Sequence, residues 1–147
     1  AEELYRLLTS EQGKPHDQAR GEIYGAAGMS AAQSTLSLDD EINEDSDTRL
    51  SRTRRVPVGV VGGIVPWNFP VMMAIQKIVP AMLSGCTIVL KPSPFTPLTT
   101  LRIAELIADK VPPGVVNIIT GEDDLGPLMT SHPDIDKITF TGSTATG

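Results

Sequence analysis

Four short runs rich in apolar and β-branched residues recur along the second half of the chain. They cover residues 58–65, 87–91, 115–119 and 137–141. Such short apolar runs are typical of strands that are buried on both faces of a parallel sheet. Segments with helical spacing separate them, at residues 70–84, 97–110 and 123–131. Because strands alternate with helices, the pattern predicts an α/β fold in which right-handed crossovers join a parallel sheet flanked by helices.

The first 38 residues have helical spacing on both sides of Gly13-Lys14-Pro15. Glycine followed by proline ends one helix and permits another, so two N-terminal helices are predicted. The inner face of the second helix is expected to hold Ala19, Ile23, Ala26, Ala27 and Ser30. By the same spacing, Arg20 and Glu22 are expected on its outer face.

Charged residues fill the segment between these two parts. Asp39–Asp47 is acidic, and we interpret it as a solvated loop. The arginine-rich stretch that follows predicts an exposed strand, whose arginines either pair with the acidic residues or face solvent. The chain is thereby divided into helices and acidic loop (1–48), a strand (49–57) and the sheet-forming part (58–147).

Composition narrows the classes of function. The chain has 147 residues, 40% of them apolar, and no apolar stretch near the roughly 20 residues of a membrane span. A net charge of −6 argues against a nucleic-acid-binding surface. Cys86 is the only cysteine, so no internal disulfide can form and a reducing, cytoplasmic location is expected. His16 and His132 lack partners at ligand spacing, so no metal site is predicted.

The loop from Pro66 to Pro70 offers the first candidate for chemistry. Its two prolines bracket Trp67 and Asn68 directly after an apolar run. Proline fixes its own φ angle and restricts the backbone of the residue before it. Asn68 therefore offers a positioned amide at a strand end, where open sheets bind ligands. Such an amide can stabilise a developing oxyanion. The alternative is a turn in which the side chain bonds its own backbone.

Two further strand ends carry polar groups. Lys91 can bond ribose hydroxyls or a phosphate, or it can simply cover the edge of the sheet. Gly142–Gly147 predicts the start of a helix, where backbone N–H groups can bind phosphate, and a plain N-cap is the alternative. Cys86 has no neighbouring base, and we interpret it as a buried structural cysteine.

Three motifs, in this order and at this spacing, resemble the aldehyde dehydrogenase superfamily. They are Pro66-Trp67-Asn68-Phe69-Pro70, Gly85-Cys86-Thr87-Ile88-Val89-Leu90-Lys91-Pro92-Ser93 and Phe140-Thr141-Gly142-Ser143-Thr144. The resemblance covers Pro57 to Gly147 and extends more weakly through Glu2 to Gly28. It implies a Rossmann-like NAD(P)-binding domain, truncated in this chain, for residues 58–147. It also implies that residues 49–57 belong to a small β-extension used in oligomerisation.

In this superfamily an aldehyde is oxidised to a carboxylic acid with NAD or NADP. A cysteine thiolate attacks the aldehyde, hydride passes to the nicotinamide, and a glutamate activates water to hydrolyse the thioester. The resemblance implies that the family's cysteine and glutamate both follow the Gly-Ser-Thr turn, beyond Gly147. Cys86 does not match the nucleophile's motif. We therefore expect an N-terminal piece of a longer enzyme, inactive alone.

The resemblance also implies roles for single residues. Asn68 matches the oxyanion-stabilising asparagine, Lys91 the lysine at the adenosine ribose, and Ser143 the serine near the pyrophosphate. Phe69 and Met73 lie where the family shapes its aldehyde tunnel. Cofactor contacts are expected from Val65, Pro66, Trp67, Lys91, Ser93, Pro94, Gly121, Gly126, Phe140, Thr141, Gly142 and Ser143. Lys77 matches a family lysine to which no role is assigned here.

One departure from the family pattern concerns the cofactor. The family often has a glutamate three residues after the ribose lysine, and this chain has Pro94 there. Without that carboxylate nothing repels a 2′-phosphate, so NADP is as credible as NAD and a relaxed preference is expected.

Other readings stay open. The chain could be a non-catalytic nucleotide-binding module or a segment that mainly serves assembly. Within the enzyme class, acylating relatives release an acyl-CoA instead of a free acid. The expected partners are a small aldehyde, aromatic or aliphatic, and further copies in a homodimer or homotetramer, with no nucleic acid or membrane.

Overall fold

The computed structural model describes residues 1–147, which form five helices and six strands. The helices are α1 (Glu2–Gln12), α2 (His16–Gln33), α3 (Pro70–Leu83), α4 (Leu98–Ile107) and α5 (Leu125–Ser131). The strands are β1 (Glu41–Ser46), β2 (Arg49–Thr53), β3 (Val60–Ile64), β4 (Thr87–Lys91), β5 (Val116–Ile118) and β6 (Lys137–Phe140). No helix has both the length and the apolar character that crossing a membrane requires.

The last four strands form one parallel sheet in the order β5-β4-β3-β6, as the alternation of strands and helices predicts. The chain adds β3, β4 and β5 in one direction and then returns to place β6 on the other side of β3. Right-handed crossovers therefore put α3 and α4 on one face and α5 on the other. Two successive residues of β3 lie on these two faces: Val61 packs with α3, and Val60 lies on the side of α5.

Helix α3 is the centre of the molecule because it is buried on two sides. Its residues Ala74, Ile78 and Ala81 join the core of the sheet, which includes Val61, Val65, Cys86, Ile88 and Leu90. Its residue Val71 packs on the opposite side with Leu8, Ala19, Ile23 and Ala26 of α1 and α2. A helix that is apolar around much of its surface has to be buried. The α1–α2 pair thus covers α3, which covers the sheet.

The two predicted N-terminal helices are confirmed, with Gly13 at the break. Gly13 ends α1 in the left-handed conformation at φ 79°, which glycine adopts without strain. The expected outer position of Glu22 is wrong, since this residue is only 4% exposed. Helical spacing alone put Glu22 on the solvent side, whereas an ion pair and two backbone N–H groups compensate its burial.

The predicted acidic loop is also wrong, because most of it is strand β1. It pairs antiparallel with β2, from Glu41 opposite Thr53 to Ser46 opposite Arg49. Opposite charges face each other across this hairpin, as in Arg49–Glu44 at 3.4 Å. Arg52 pairs with Asp40 at 3.5 Å and Arg55 with Glu41 at 3.9 Å, which confirms the predicted pairing of the arginines with the acidic residues. The hairpin crosses the boundary expected at residue 48.

Candidate functional site

The carboxyl ends of β3, β4 and β6 open into one cleft of about 1060 Å³. It lies where the strand order reverses, the usual ligand site of an open α/β sheet. Predicted site residues lining it are Val65, Pro66, Trp67, Asn68, Phe69, Met73, Lys91, Ser93, Pro94, Gly126, Phe140, Thr141, Gly142 and Ser143. Thr146 and Gly147, from the predicted Gly142–Gly147 turn, also line it, and the lining residues that sequence reasoning missed are Ile64, Phe95, Asp123, Pro127, Thr130 and Ile138.

Asn68 is exposed to this cleft. Its Oδ1 accepts a hydrogen bond from the Phe69 N–H at 3.1 Å, which is the local bonding that a turn residue offers. Its Nδ2 donates to no group of the chain, so both N–H donors are available to a ligand. The side chain therefore combines a backbone anchor with an unpaired donor end, the arrangement that an oxyanion site needs.

Side chains from the N-terminal helices hold the backbone of this loop. Gln12 Nε2 donates to the carbonyl oxygens of Trp67 at 2.6 Å and Asn68 at 2.9 Å. Lys14 Nζ donates to the same Asn68 oxygen at 2.9 Å and lies 4.1 Å from the centroid of the Phe69 ring. These contacts hold the loop by its backbone carbonyls and leave its amide donors unused.

Glu22 connects this loop to the beginning of α3. Its carboxylate pairs with Lys14, and its Oε1 accepts from the backbone N–H groups of Val71 at 2.9 Å and Met72 at 3.1 Å. Helix α3 starts at Pro70 and receives no capping bond from its own preceding residue. Glu22 therefore caps α3 from another helix and brings negative charge to its N-terminus.

Lys91 ends β4 as a buried residue without a partner. It is 4% exposed, and its ammonium group forms no hydrogen bond or ion pair within the chain, although it lines the cleft. A lysine that merely covered the sheet edge would extend its charge into bulk solvent. A buried cation facing a cleft instead suits a ligand with hydroxyl or phosphate oxygens.

Lys77 lies beneath the cleft and is bonded only to hydroxyl groups. Its Nζ donates to Thr139 Oγ1 at 3.1 Å and to Thr141 Oγ1 at 2.9 Å. No carboxylate compensates its charge, and burial lowers the pKa of Lys77 below its ordinary value. Because Thr141 also lines the cleft, Lys77 supports the wall of the site from behind.

The expected helix start at Gly142–Gly147 is a single turn. The N–H groups of Thr146 and Gly147 both donate to the Ser143 carbonyl at 3.2 Å, and no helix follows within the chain. The Ser143 and Thr146 hydroxyls lie 2.8 Å apart. A Cβ added to Gly142 would lie 2.3 Å from the Phe140 ring, so the turn needs glycine there. Ser143 and Thr146 line the same cleft as Asn68, at the end of the strand beside β3.

Two residues lie outside the cleft. Gly121 does not line it, and a Cβ added there would lie 2.7 Å from Leu125, so packing against α5 explains this glycine. Cys86 is 4% exposed within the core of the sheet, which confirms the interpretation as a buried cysteine. A hydrogen bond from the Ser84 hydroxyl lowers the pKa of the Cys86 thiol.

Comparison with known proteins identifies the family. The model of the aldehyde dehydrogenase family matches residues 1–147. The mitochondrial succinate-semialdehyde dehydrogenase of Arabidopsis thaliana is 46% identical over 151 residues, covering 99% of this chain and 29% of the plant enzyme. An aldehyde dehydrogenase of Bacillus cereus, solved with NAD⁺, superimposes with a TM-score of 0.92 at 41% identity, over 99% of this chain and 31% of that one.

A third relative was solved with the other cofactor. The glyceraldehyde-3-phosphate dehydrogenase GapN of Methanocaldococcus jannaschii, complexed with NADP, gives a TM-score of 0.89 at 37% identity, over 99% of this chain and 33% of that one. The chain thus spans about a third of the length of these relatives. With the whole length matched in sequence and in fold, the chain belongs to the aldehyde dehydrogenase family.

Proposed function

We propose that the protein containing this chain oxidises an aldehyde to a carboxylic acid with NAD or NADP. The single observation that carries the proposal is the cleft in which the unpaired amide donors of Asn68 lie beside the unpartnered Lys91 and the Ser143 turn. Membership of the family supports the reaction.

The residues of the cleft fit a dinucleotide. Lys91 and Ser93 would hold the adenosine ribose, and Ser143 would contact the pyrophosphate. Gly126 lines the same cleft. When bound, NAD(P) supplies the acceptor for the hydride of the aldehyde. The nearby backbone of Val65, Pro66 and Trp67 would form the floor beneath it.

Asn68 is the residue of this chain that acts on the aldehyde. Its Nδ2 donates to the carbonyl oxygen, which becomes negatively charged when a nucleophile adds to the carbonyl carbon. Phe69 and Met73 form an apolar wall that excludes water around the substrate. No thiol of this chain reaches the cleft, since Cys86 is buried in the core. We propose that the nucleophilic thiol and the general-base carboxylate belong to another part of the protein.

Replacing Asn68 tests this proposal in the full-length protein. We expect Asn68→Ala to lower kcat about 10²- to 10³-fold, because one oxyanion donor is lost, and to leave the cofactor Kd unchanged. Gln18→Ala, which removes an exposed amide on α2, is the control and should retain full activity. Undiminished kcat in Asn68→Ala would overturn the role of the amide. An accumulating acyl-CoA in place of the free acid would indicate an acylating relative.

The cofactor preference follows from Pro94, which lines the cleft three residues after Lys91. No carboxylate at this position repels a 2′-phosphate, so we propose a relaxed preference. The same assay, run with NAD and NADP in parallel, tests it. A preference for NAD of about a thousandfold would contradict the proposal.

We also propose that the protein assembles into homo-oligomers through the β1–β2 hairpin. Ile42 and Leu50 on this hairpin are 63% and 64% exposed, and each strand has an edge without a partner. Unpaired strand edges with apolar side chains are suited to pairing with another copy. A monomeric full-length protein in analytical ultracentrifugation would contradict this assembly.

A further inference from the structure

The turn between α1 and α2 reaches across to the loop that carries Asn68. Gly13 reverses the chain there, so Gln12 and Lys14 on its two sides both extend toward the same loop. Together they give three N–H donors to two backbone carbonyls, those of Trp67 and Asn68, at 2.6 to 2.9 Å. The orientation of the peptide groups on both sides of the Asn68 Cα is therefore fixed from outside the loop.

A buried ion pair holds this arrangement in place. The side chains of Lys14 and Glu22 are 8% and 0% exposed, so neither charge can turn to solvent. The ammonium group of Lys14 is shared between Glu22 and the Asn68 carbonyl. Because Glu22 also binds the first N–H groups of α3, a single ion pair holds both ends of the segment 68–72.

None of these contacts uses the amide donors of Asn68. Gln12 and Lys14 bind backbone oxygens, and Phe69 N–H binds Oδ1, which leaves Nδ2 without a partner in the chain. Misplacement of a reacting group by about 1 Å can cost about 10² in rate, so the orientation of this amide matters. We propose that Lys14 is a positioning residue for the Asn68 amide, assisted by Gln12. This inference rests on the proposed function.

A double-mutant cycle in the full-length protein tests it. Lys14→Met should lower kcat about tenfold to a hundredfold while the cofactor Kd changes by less than about twofold. Combined with Asn68→Ala, the same substitution should add less than about a twofold loss, since the amide that it positions is already absent. Lys14→Arg keeps a cation with donors for Glu22 and the Asn68 carbonyl and should recover part of the activity. Lys110→Met, at an exposed lysine beyond α4, is the matched control.

The outcomes separate this role from plain stability. Equal losses in the presence and absence of Asn68 would overturn the proposal, because a structural effect is additive. The proposal would also be overturned if Lys14→Met lowered activity by raising the cofactor Kd and left kcat unchanged. If Lys14→Met does not fold, Gln12→Leu removes two of the three donors without unpairing a buried charge, and the same cycle applies. If the unsubstituted full-length protein does not oxidise aldehydes, the proposed function itself is wrong. If that protein is active but the losses caused by Lys14→Met and Asn68→Ala simply add, only the positioning role of Lys14 is wrong.

Discussion

Three buried lysines near the cleft differ in what they contact, and the difference separates their roles. Lys14 pairs with a buried carboxylate, so its charge is compensated and the residue organises structure. Lys77 is bonded to two threonine hydroxyls, which leave its charge uncompensated. Lys91 has no partner in the chain and faces the cleft. Only Lys91 therefore has its full hydrogen-bonding capacity available to a ligand.

The burial of Lys77 predicts a rise in stability at alkaline pH. Burial lowers its pKa below the ordinary 10.5, so between these two values the folded chain binds fewer protons than the unfolded chain. The free energy of unfolding should accordingly increase with pH up to about 10.5. Urea unfolding at a series of pH values measures it. The rise should be absent in Lys77→Met and preserved in Lys110→Met, and an unchanged rise in Lys77→Met would show the assignment to be wrong.

Single residues were predictable where their neighbours in sequence determine their environment. Asn68 stands between two prolines, and Lys91 ends an apolar strand, so both could be placed at the edge of a sheet. Glu22 could not, because its burial depends on Val71, 49 residues away. Helical spacing gives the face of a residue and carries no information on a charged partner that reaches it from another element.

At the scale of elements, α3 and α4 are alike in being capped from another helix. Proline stands at the start of each, Pro70 in α3 and Pro97 just before α4, and neither receives a capping bond from its own preceding residue. Glu22 caps α3, and Glu11 of α1 caps α4 by accepting from the N–H of Leu98 at 2.7 Å. Helices α1 and α2 thus supply the N-terminal caps of α3 and α4, the helices that follow β3 and β4.

Removing the second of these caps should destabilise the fold measurably. Glu11→Ala takes away the acceptor for the N–H groups of Leu98 and Thr99, and the loss of a helix cap typically costs about 0.5–2 kcal/mol. Denaturant unfolding gives this difference in the free energy of unfolding. Glu2→Ala, which breaks only an exposed pair with Arg6, is the matched control and should change stability by less than about 0.5 kcal/mol. Equal effects of the two substitutions would contradict the capping role.

Most elements were predictable, and strand β1 is the exception. The alternation of apolar strands and helices lies in the local sequence, and it is confirmed from β3 to β6. Strand β1 was missed because its acidic sequence has low strand propensity, and the arginines of β2 compensate it only once the hairpin has formed. The helix start predicted at Gly142–Gly147 stays a prediction, and the bond from the Gly147 N–H to the Ser143 carbonyl has the spacing of a first helical turn.

On the scale of the whole molecule, the reversal of strand order after β5 determines where chemistry can occur. It places the Asn68 loop and the Ser143 turn on neighbouring strands, β3 and β6, with Lys91 on the next strand. Residues from three distant stretches of sequence thereby line one cleft. The sequence predicted the strand ends as ligand sites, whereas their order across the sheet required the structure.

The isolated chain should not oxidise aldehydes. It holds the proposed oxyanion donor and the proposed cofactor contacts, but its only thiol is buried away from the cleft. Mixing the 147-residue chain with an aldehyde and NAD or NADP should yield no reduced cofactor. Isothermal titration calorimetry with NAD and NADP measures whether the chain binds either cofactor. Turnover by the chain alone would contradict the proposed division of the site, and tight binding without turnover would favour a nucleotide-binding module.

The caps supplied by Glu11 and Glu22 also have a consequence for biosynthesis. These residues precede the amides that they cap by 87 and 49 positions, so the ribosome releases both carboxylates before α3 and α4. Each later helix can be completed as soon as it emerges, because N-terminal segments of a nascent chain fold first. A circular permutant that moves α1 and α2 to the end of the chain would reverse this order. Such a permutant should reach the same fold, but the first N–H groups of α3 and α4 would lack their capping carboxylates until translation ends.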